Sequence, residues 1–260
     1  MESNVAQFVL SSYAGSRMLA KPRYHQRGMA LIVVLWLLVA LSLVATRVVA
    51  TQRAVSRQTY AELQRSKALL AAEGGIAFAV HQLLSAPERF AANGHQHSTV
   101  IGDVKLAMVV RSERGKLDLN TGNLDYFSRF FRTMGASADE ANKLSRQMRE
   151  GRERGVPLQH LEDVLARTSM DALFYQRILP YITIWGRGSV PDAAYADTVL
   201  VQALDLPEPH TPGGNPGSVV GVEIVATLAN GFSAGLLATV LIIPVESEAG
   251  VFRVLRWQEN

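Results

Sequence analysis

The sequence predicts an α+β fold in which one long N-terminal helix packs on an antiparallel sheet, with an all-helical insertion. Three observations predict it. Residues 29–46, MALIVVLWLLVALSLVAT, carry no charge, and a helical stripe of apolar residues continues beyond them. The C-terminal third holds strand-like runs, two of them joined by Asn230-Gly231, a strong two-residue hairpin signal. Between these parts, residues 123–180 change to a helical period.

The apolar run is eighteen residues long. At about 1.5 Å per residue it covers roughly 27 Å, close to the ~30 Å hydrocarbon core of a bilayer. A buried helix of a soluble core is usually shorter and carries some polar residues. The run is therefore expected to be a transmembrane segment. Its N-terminal flank holds Arg17, Lys21, Arg23 and Arg27 against Glu2, which predicts a cytoplasmic N-terminus and a globular domain on the far side. Arg47, Arg53 and Arg57 follow the run and weaken that asymmetry, although Arg47 can snorkel to the interface. Cleavage as an ordinary secretory signal is disfavoured: the run is long, the helical pattern continues past it, and Ala45-Thr46-Arg47 is a poor site.

Beyond the run, Leu69, Ala72, Ile76, Val80 and Leu83 recur at steps of 3, 4, 4 and 3. One helix is expected from residue 29 to about 84, ending before Pro87 and about 80 Å long. Gly74-Gly75 inside it is read as a close approach of the helix to a strand. Residues 103–111 alternate, with Val104, Leu106, Met108 and Val110 on one face, and predict a strand. Asn120-Thr121 is expected to cap a change of period, after which Leu124, Phe127, Phe131 and Met134 mark a helix. Further helices are expected over residues 137–154, 158–166 and 169–180, followed by a strand at 181–185 that returns to the sheet. Residues 193–204 are expected to be helical, and 207–217, PEPHTPGGNPG, an exposed loop. Strands at 219–229, 232–243 and 251–257 complete an antiparallel meander.

The chain has 260 residues, a net charge of +3 and no cysteine. Disulfides, thiolate metal sites and a cysteine nucleophile are excluded. The basic excess is too small and too scattered for a nucleic-acid surface. His95-Gln96-His97 lies in an expected polar loop without a third ligand, and Asp118, Asn120 and Asp125 offer oxygen atoms suited to a hard cation. Arg146, Arg149, Glu150, Arg152, Glu153 and Arg154 read as a solvated helix face, with a contact to a partner as the alternative. No nucleophile elbow, phosphate loop or H-E-x-x-H motif is present.

Several segments carry a resemblance. Gln26-Arg27-Gly28-Met29-Ala30-Leu31 places a basic residue and a glycine directly before the apolar run, which resembles a type IV prepilin leader. Leu35-Trp36-Leu37, the stretch from Lys67-Ala68 through Ala72-Glu73-Gly74-Gly75-Ile76, Gly115-Lys116-Leu117-Asp118-Leu119-Asn120-Thr121, Pro180-Tyr181-Ile182-Thr183, and the run from Val251 to Trp257 resemble, in this order, segments of the K-type minor pseudopilins of type II secretion systems. The resemblance implies a pilin-like head, residues 47–122 and 181–260, behind a leader at residues 1–28, with the insertion at 123–180. It implies cleavage by prepilin peptidase after Gly28 and N-methylation of Met29. Met18 would open an eleven-residue leader, and translation is expected to start there.

At the fifth mature position most pilins carry Glu, and K-type members typically do not; here it is Val33. A buried carboxylate is costly unless paired, and a subunit at a filament tip has no neighbour above it to receive the pairing. The resemblance therefore implies a tip subunit in the inner membrane. Its partners would be other minor pseudopilins, the major pseudopilin, prepilin peptidase and the inner-membrane assembly platform. No cofactor is assigned. Calcium in the helical insert is the one ion the family suggests, with no ligand set matched residue by residue. Two rivals stay open: a minor pilin of a type IV pilus, and a signal-anchored periplasmic enzyme.

Overall fold

The computed structural model describes residues 27–87, 89–207, 215–243 and 252–259. The chain divides into two compact units, residues 1–58 and 59–260. The first helix, α1 (Arg27–Ser85), contributes to both.

In the first unit, every described residue from Met29 to Gln58 is exposed. A helix satisfies its backbone polar groups internally, so an apolar segment can stay helical without a protein partner where the surroundings are also apolar.

In the second unit, α1 is covered on one face. Ala68, Ala72, Ile76, Ala79, Val80 and Leu83 are buried there. They pack on a five-stranded antiparallel sheet of order β1 (Asn93–Ile101), β2 (Val104–Ser112), β5 (Val219–Thr227), β6 (Ser233–Ile242) and β7 (Phe252–Glu259). Register explains the match. Met108 stands opposite Ile224, which stands opposite Leu236, and Val110 stands opposite Val222, which stands opposite Ala238. These residues alternate along their strands, so one face presents a continuous apolar layer to the helix. Gly75 is the close approach expected: a Cβ there would lie 3.0 Å from Ile224 Cδ1. Gly74 faces open space.

β2 and β5 are neighbours in the sheet but are separated in sequence by residues 113–218. That excursion holds a second core. It contains α2 (Leu124–Thr133), α3 (Ala138–Glu153), α4 (Asp163–Arg167), α5 (Ala172–Ile178) and α6 (Thr198–Leu204). Phe127, Phe130 and Phe131 are fully buried at its centre, against Ile178, Ile182 and Leu200 among others. Short polar side chains start these helices: Asn123 caps α2, Ser137 and Glu140 form a capping box on α3, Asp171 caps α5 and Asp197 caps α6.

The structure corrects several element expectations. Residues 181–185 do not rejoin the main sheet. Only β4 (Ile182–Thr183) is extended, and it pairs in parallel with β3 (Leu117–Asp118) as a separate ribbon. The helix expected at 158–166 is confined to α4, because Asp163 Oδ2 accepts from the Gln159 and His160 amides and folds those residues into a turn. The helix expected at 193–204 begins only after the Asp197 cap. Asn123, not Asn120, caps α2. His95, Gln96 and His97 lie in strand β1 rather than in a loop. As an edge strand largely exposed on both faces, β1 has no reason to alternate in sequence. Residues 208–214 of the expected loop lie outside the described residues, as do residues 1–26 of the expected leader, including Met18.

Candidate functional site

Two features offer a function: the exposed apolar stretch of the first unit, and the surface of the head. The apolar stretch contains an eighteen-residue window of mean hydropathy 2.7, none of it buried. It is one helix long and apolar enough to cross a membrane, and so a candidate membrane anchor. Thr46 Oγ1 donates to the Ser42 carbonyl at 2.8 Å, and Thr51 Oγ1 donates to the Arg47 carbonyl at 2.9 Å. Such bonds within the helix satisfy hydroxyl groups that a bilayer would otherwise strand. Gly28 lies in the first turn of α1, and Met29 and Val33 are both mostly exposed, at 70% and 63%.

In the head, the β5–β6 turn is bracketed to α1. Asn230 Nδ2 donates to Gln64 Oε1 at 2.9 Å and to Tyr60 Oη at 3.4 Å, while Phe232 meets the Tyr60 ring edge-on at 6.0 Å. Arg65 and Glu259 add an exposed pair at 3.8 Å, which contributes little.

The helical core is tied together by residues read differently from sequence. Asp118 Oδ1 accepts from the Asn120 and Thr121 amides at 2.7 and 2.9 Å, and its Oδ2 accepts from the Arg187 amide at 3.0 Å. Asn120 pairs with the Leu158 backbone through both its amide nitrogen, at 3.0 Å, and its oxygen, at 2.8 Å. Asp125 lies in the first turn of α2. Asp118 and Asn120 are thus both engaged with backbone groups. Among the described residues no group of three or more His, Asp and Glu could hold a metal ion. His97 instead stacks on Phe90 at 4.3 Å.

Arg152 is the residue sequence reasoning missed. Arg146, Arg149, Glu150, Glu153 and Arg154 are exposed as expected, but Arg152 is partly buried. Its guanidinium donates to the Gly122 carbonyl at 2.6 Å and to the Leu119 carbonyl at 2.9 Å, and lies 5.1 Å over the Phe127 ring. Burial lowers its affinity for the proton, and the Asp118 charge opposes that. The signal was available: Ala141, Leu144, Met148 and Arg152 step by 3, 4 and 4, so Arg152 sits in line with the buried stripe of α3.

Between the outer sheet face and the insert runs a cleft of about 370 Å³. Among its charged groups, Arg111 pairs with Glu223 at 3.2 Å, Lys116 with the buried Glu113 at 2.6 Å, and Arg256 with the neighbouring Glu162 at 3.0 Å, while Asp197 caps α6. Tyr175 Oη donates to Glu162 Oε1 at 3.4 Å; burial and the Glu162 charge push the phenol up to about 12. Burial raises the Glu162 carboxyl, but its own backbone amide and Arg256 outweigh that and hold it below its ordinary value.

No family model and no curated protein matches the sequence. Among solved structures, the chain is similar to a chain of the GspK-GspI-GspJ complex from the type 2 secretion system of enterotoxigenic Escherichia coli. The TM-score is 0.55 at 12% identity, over 78% of this chain and 99% of that one. The chain has a pseudopilin-like fold. Within the pseudopilin-like fold, the α1–sheet layer is the part legible in the alternating strands, and the residue 113–218 excursion hangs between two adjacent strands.

Proposed function

We propose that this chain is a minor pseudopilin of a type II secretion system, acting at the tip of the pseudopilus. The observation that carries the reading is the likeness of nearly the whole of a chain from a minor pseudopilin complex to this one, at a TM-score of 0.55. The exposed apolar start of α1 supports a single membrane pass. The basic N-terminal flank supports a cytoplasmic N-terminus and a periplasmic head.

On this reading prepilin peptidase cuts between Gly28 and Met29 and methylates Met29. The helix then packs laterally with other minor pseudopilins, with the major pseudopilin below and the assembly platform in the membrane. The head caps the filament, and the filament helps move folded proteins through the outer membrane. Val33, uncharged at the fifth mature position, leaves no carboxylate to be neutralised by a neighbouring amine, which suits the first subunit of a filament. The protein's work is assembly, not catalysis.

Intact mass and N-terminal sequencing of the membrane-extracted chain, made with and without a prepilin peptidase, test this. The expected product begins at N-methylated Met29 only when the peptidase is present. A chain that keeps its leader, or is cut beyond Ala45, would favour an anchored or secreted periplasmic protein instead.

A further inference from the structure

Arg47, Arg53 and Arg57 follow the apolar run directly. All three are exposed, and among the described residues none forms an ion pair. No Asp or Glu occurs between Met29 and Gln58; the next acid is Glu62. Three cations without a counter-charge on the exit side of a membrane span are costly in two ways. They erode the charge asymmetry that sets topology. Arg53 and Arg57, four apart on one helix face, also repel each other. Both costs fall if the segment meets a surface of fixed anions.

The spacing fits such a surface. Arg47 sits at the end of the hydrocarbon run. Arg53 lies about 9 Å further along the helix and Arg57 about 15 Å. The polar headgroup layer is roughly 5–7 Å deep on each side of the core. A snorkelling guanidinium at position 47 and one at 53 reach it, and position 57 stands about one Debye length above it. Guanidinium is also the side chain that binds phosphate oxygens in pairs.

We propose that Arg47, Arg53 and Arg57 form a collar that binds the phosphate groups of anionic phospholipids in the leaflet where the span emerges. The collar fixes the depth of the anchor and holds a shell of anionic lipid around the helix. The proposal rests on the reading of residues 29–46 as a membrane span.

The test uses the full chain reconstituted in mixed micelles of equimolar phosphatidylglycerol and phosphatidylcholine, with retained lipids counted by native mass spectrometry. The wild type is expected to retain phosphatidylglycerol over phosphatidylcholine by about threefold or more, with the preference lost in high salt. The triple variant Arg47→Gln, Arg53→Gln, Arg57→Gln is expected to show a clearly lower ratio, the remainder coming from the basic residues that precede the span. A control triple variant, Arg146→Gln, Arg149→Gln, Arg154→Gln, which removes the same charge from the exposed face and C-terminal end of α3, is expected to keep the wild-type ratio. Equal ratios for wild type and triple variant overturn the collar, as does an equal drop with the α3 control, which would indicate net charge alone. Flotation of the same proteins with phosphatidylcholine vesicles separates the two readings: a chain that does not float fails as an anchored protein, whereas one that floats without lipid preference fails only as a lipid-binding collar.

Discussion

At Arg152, a single guanidinium serves the carbonyls of Leu119 and Gly122 and covers the Phe127 ring, so truncation strands buried acceptors as well as deleting a charge. Hydrogen bonds to charged groups contribute about 1.5–3 kcal/mol, and unpaired buried groups cost a comparable amount. Arg152→Ala is therefore expected to destabilise the head by about 2–3 kcal/mol. Arg152→Lys should recover less than half of that, because an ammonium cannot fork between two carbonyls while lying on a ring. Urea unfolding of the detergent-solubilised chain, followed by near-ultraviolet circular dichroism, reads both; an unchanged midpoint for Arg152→Ala would show that the clamp is not structural. The adjacent glycines of α1 give an opposite pair. Nothing lies within 4 Å of a Cβ at Gly74, so Gly74→Ala should stabilise by about 0.5–1 kcal/mol through helix propensity. Gly75→Val pushes into Ile224 and should cost about 1–3 kcal/mol. Equal effects at the two positions would deny the close approach. The glycine pair was readable from sequence as a contact, but which glycine makes it depends on helix rotation, which the stripe from Leu69 to Leu83 specifies only to within a residue.

Among the elements, legibility followed burial. β2 alternates because one face of it meets α1, β5 and β6 are marked by the Asn230-Gly231 turn between them, and α1 itself shows its stripe wherever the sheet covers it. β1, an edge strand with little buried on either face, left no such pattern, and β3 and β4 are two residues each, too short for any period. The insert's helices were visible through Phe127, Phe131 and Met134, but their ends depended on side-chain caps such as Asp171 and Asp197, whose partners cannot be read from composition. One junction between β7 and the insert is the Arg256–Glu162–Tyr175 chain of contacts. Its pH behaviour follows from the signs. Tyr175 is raised from 10.0 to about 12 in the fold, so the unfolded chain ionises first and stability falls as pH rises from 10 to 12. Glu162 is lowered, so its contribution is present above the ordinary carboxylate range and is lost as pH falls through its folded value. Tyr175→Phe should flatten the alkaline limb of the urea midpoint against pH and leave the acid limb in place. An alkaline limb of unchanged slope in Tyr175→Phe would assign that loss to other groups.

At the scale of the whole molecule, the pseudopilin-like fold supplies a head and an apolar helix; on the proposed reading, the position of the subunit in a filament turns on one side chain. On the proposed reading, Val33 keeps this chain at the tip because a body subunit needs an acid there. In the lipid or filament core, a carboxylate is tolerated only when a partner charge neutralises it, and the terminal amine of a neighbouring subunit is that partner. Val33→Glu should therefore leave cleavage at Gly28–Met29 intact, since the acid lies more than one helical turn beyond the bond. It should change where the chain goes. The new carboxylate can receive the amine of an adjacent mature N-terminus, so the variant becomes competent to sit below another subunit. The chain has no native cysteine, so one cysteine introduced on the exposed face of α1 and one introduced in the major pseudopilin, joined under a mild oxidant, report its neighbours by disulfide capture. The expected result is capture of the Val33→Glu chain by the major pseudopilin on both its upper and lower sides, against one side only for the wild type. One-sided capture of both chains would mean that the head, by steric blocking above it, sets the tip position and that the missing acid follows from that position without causing it.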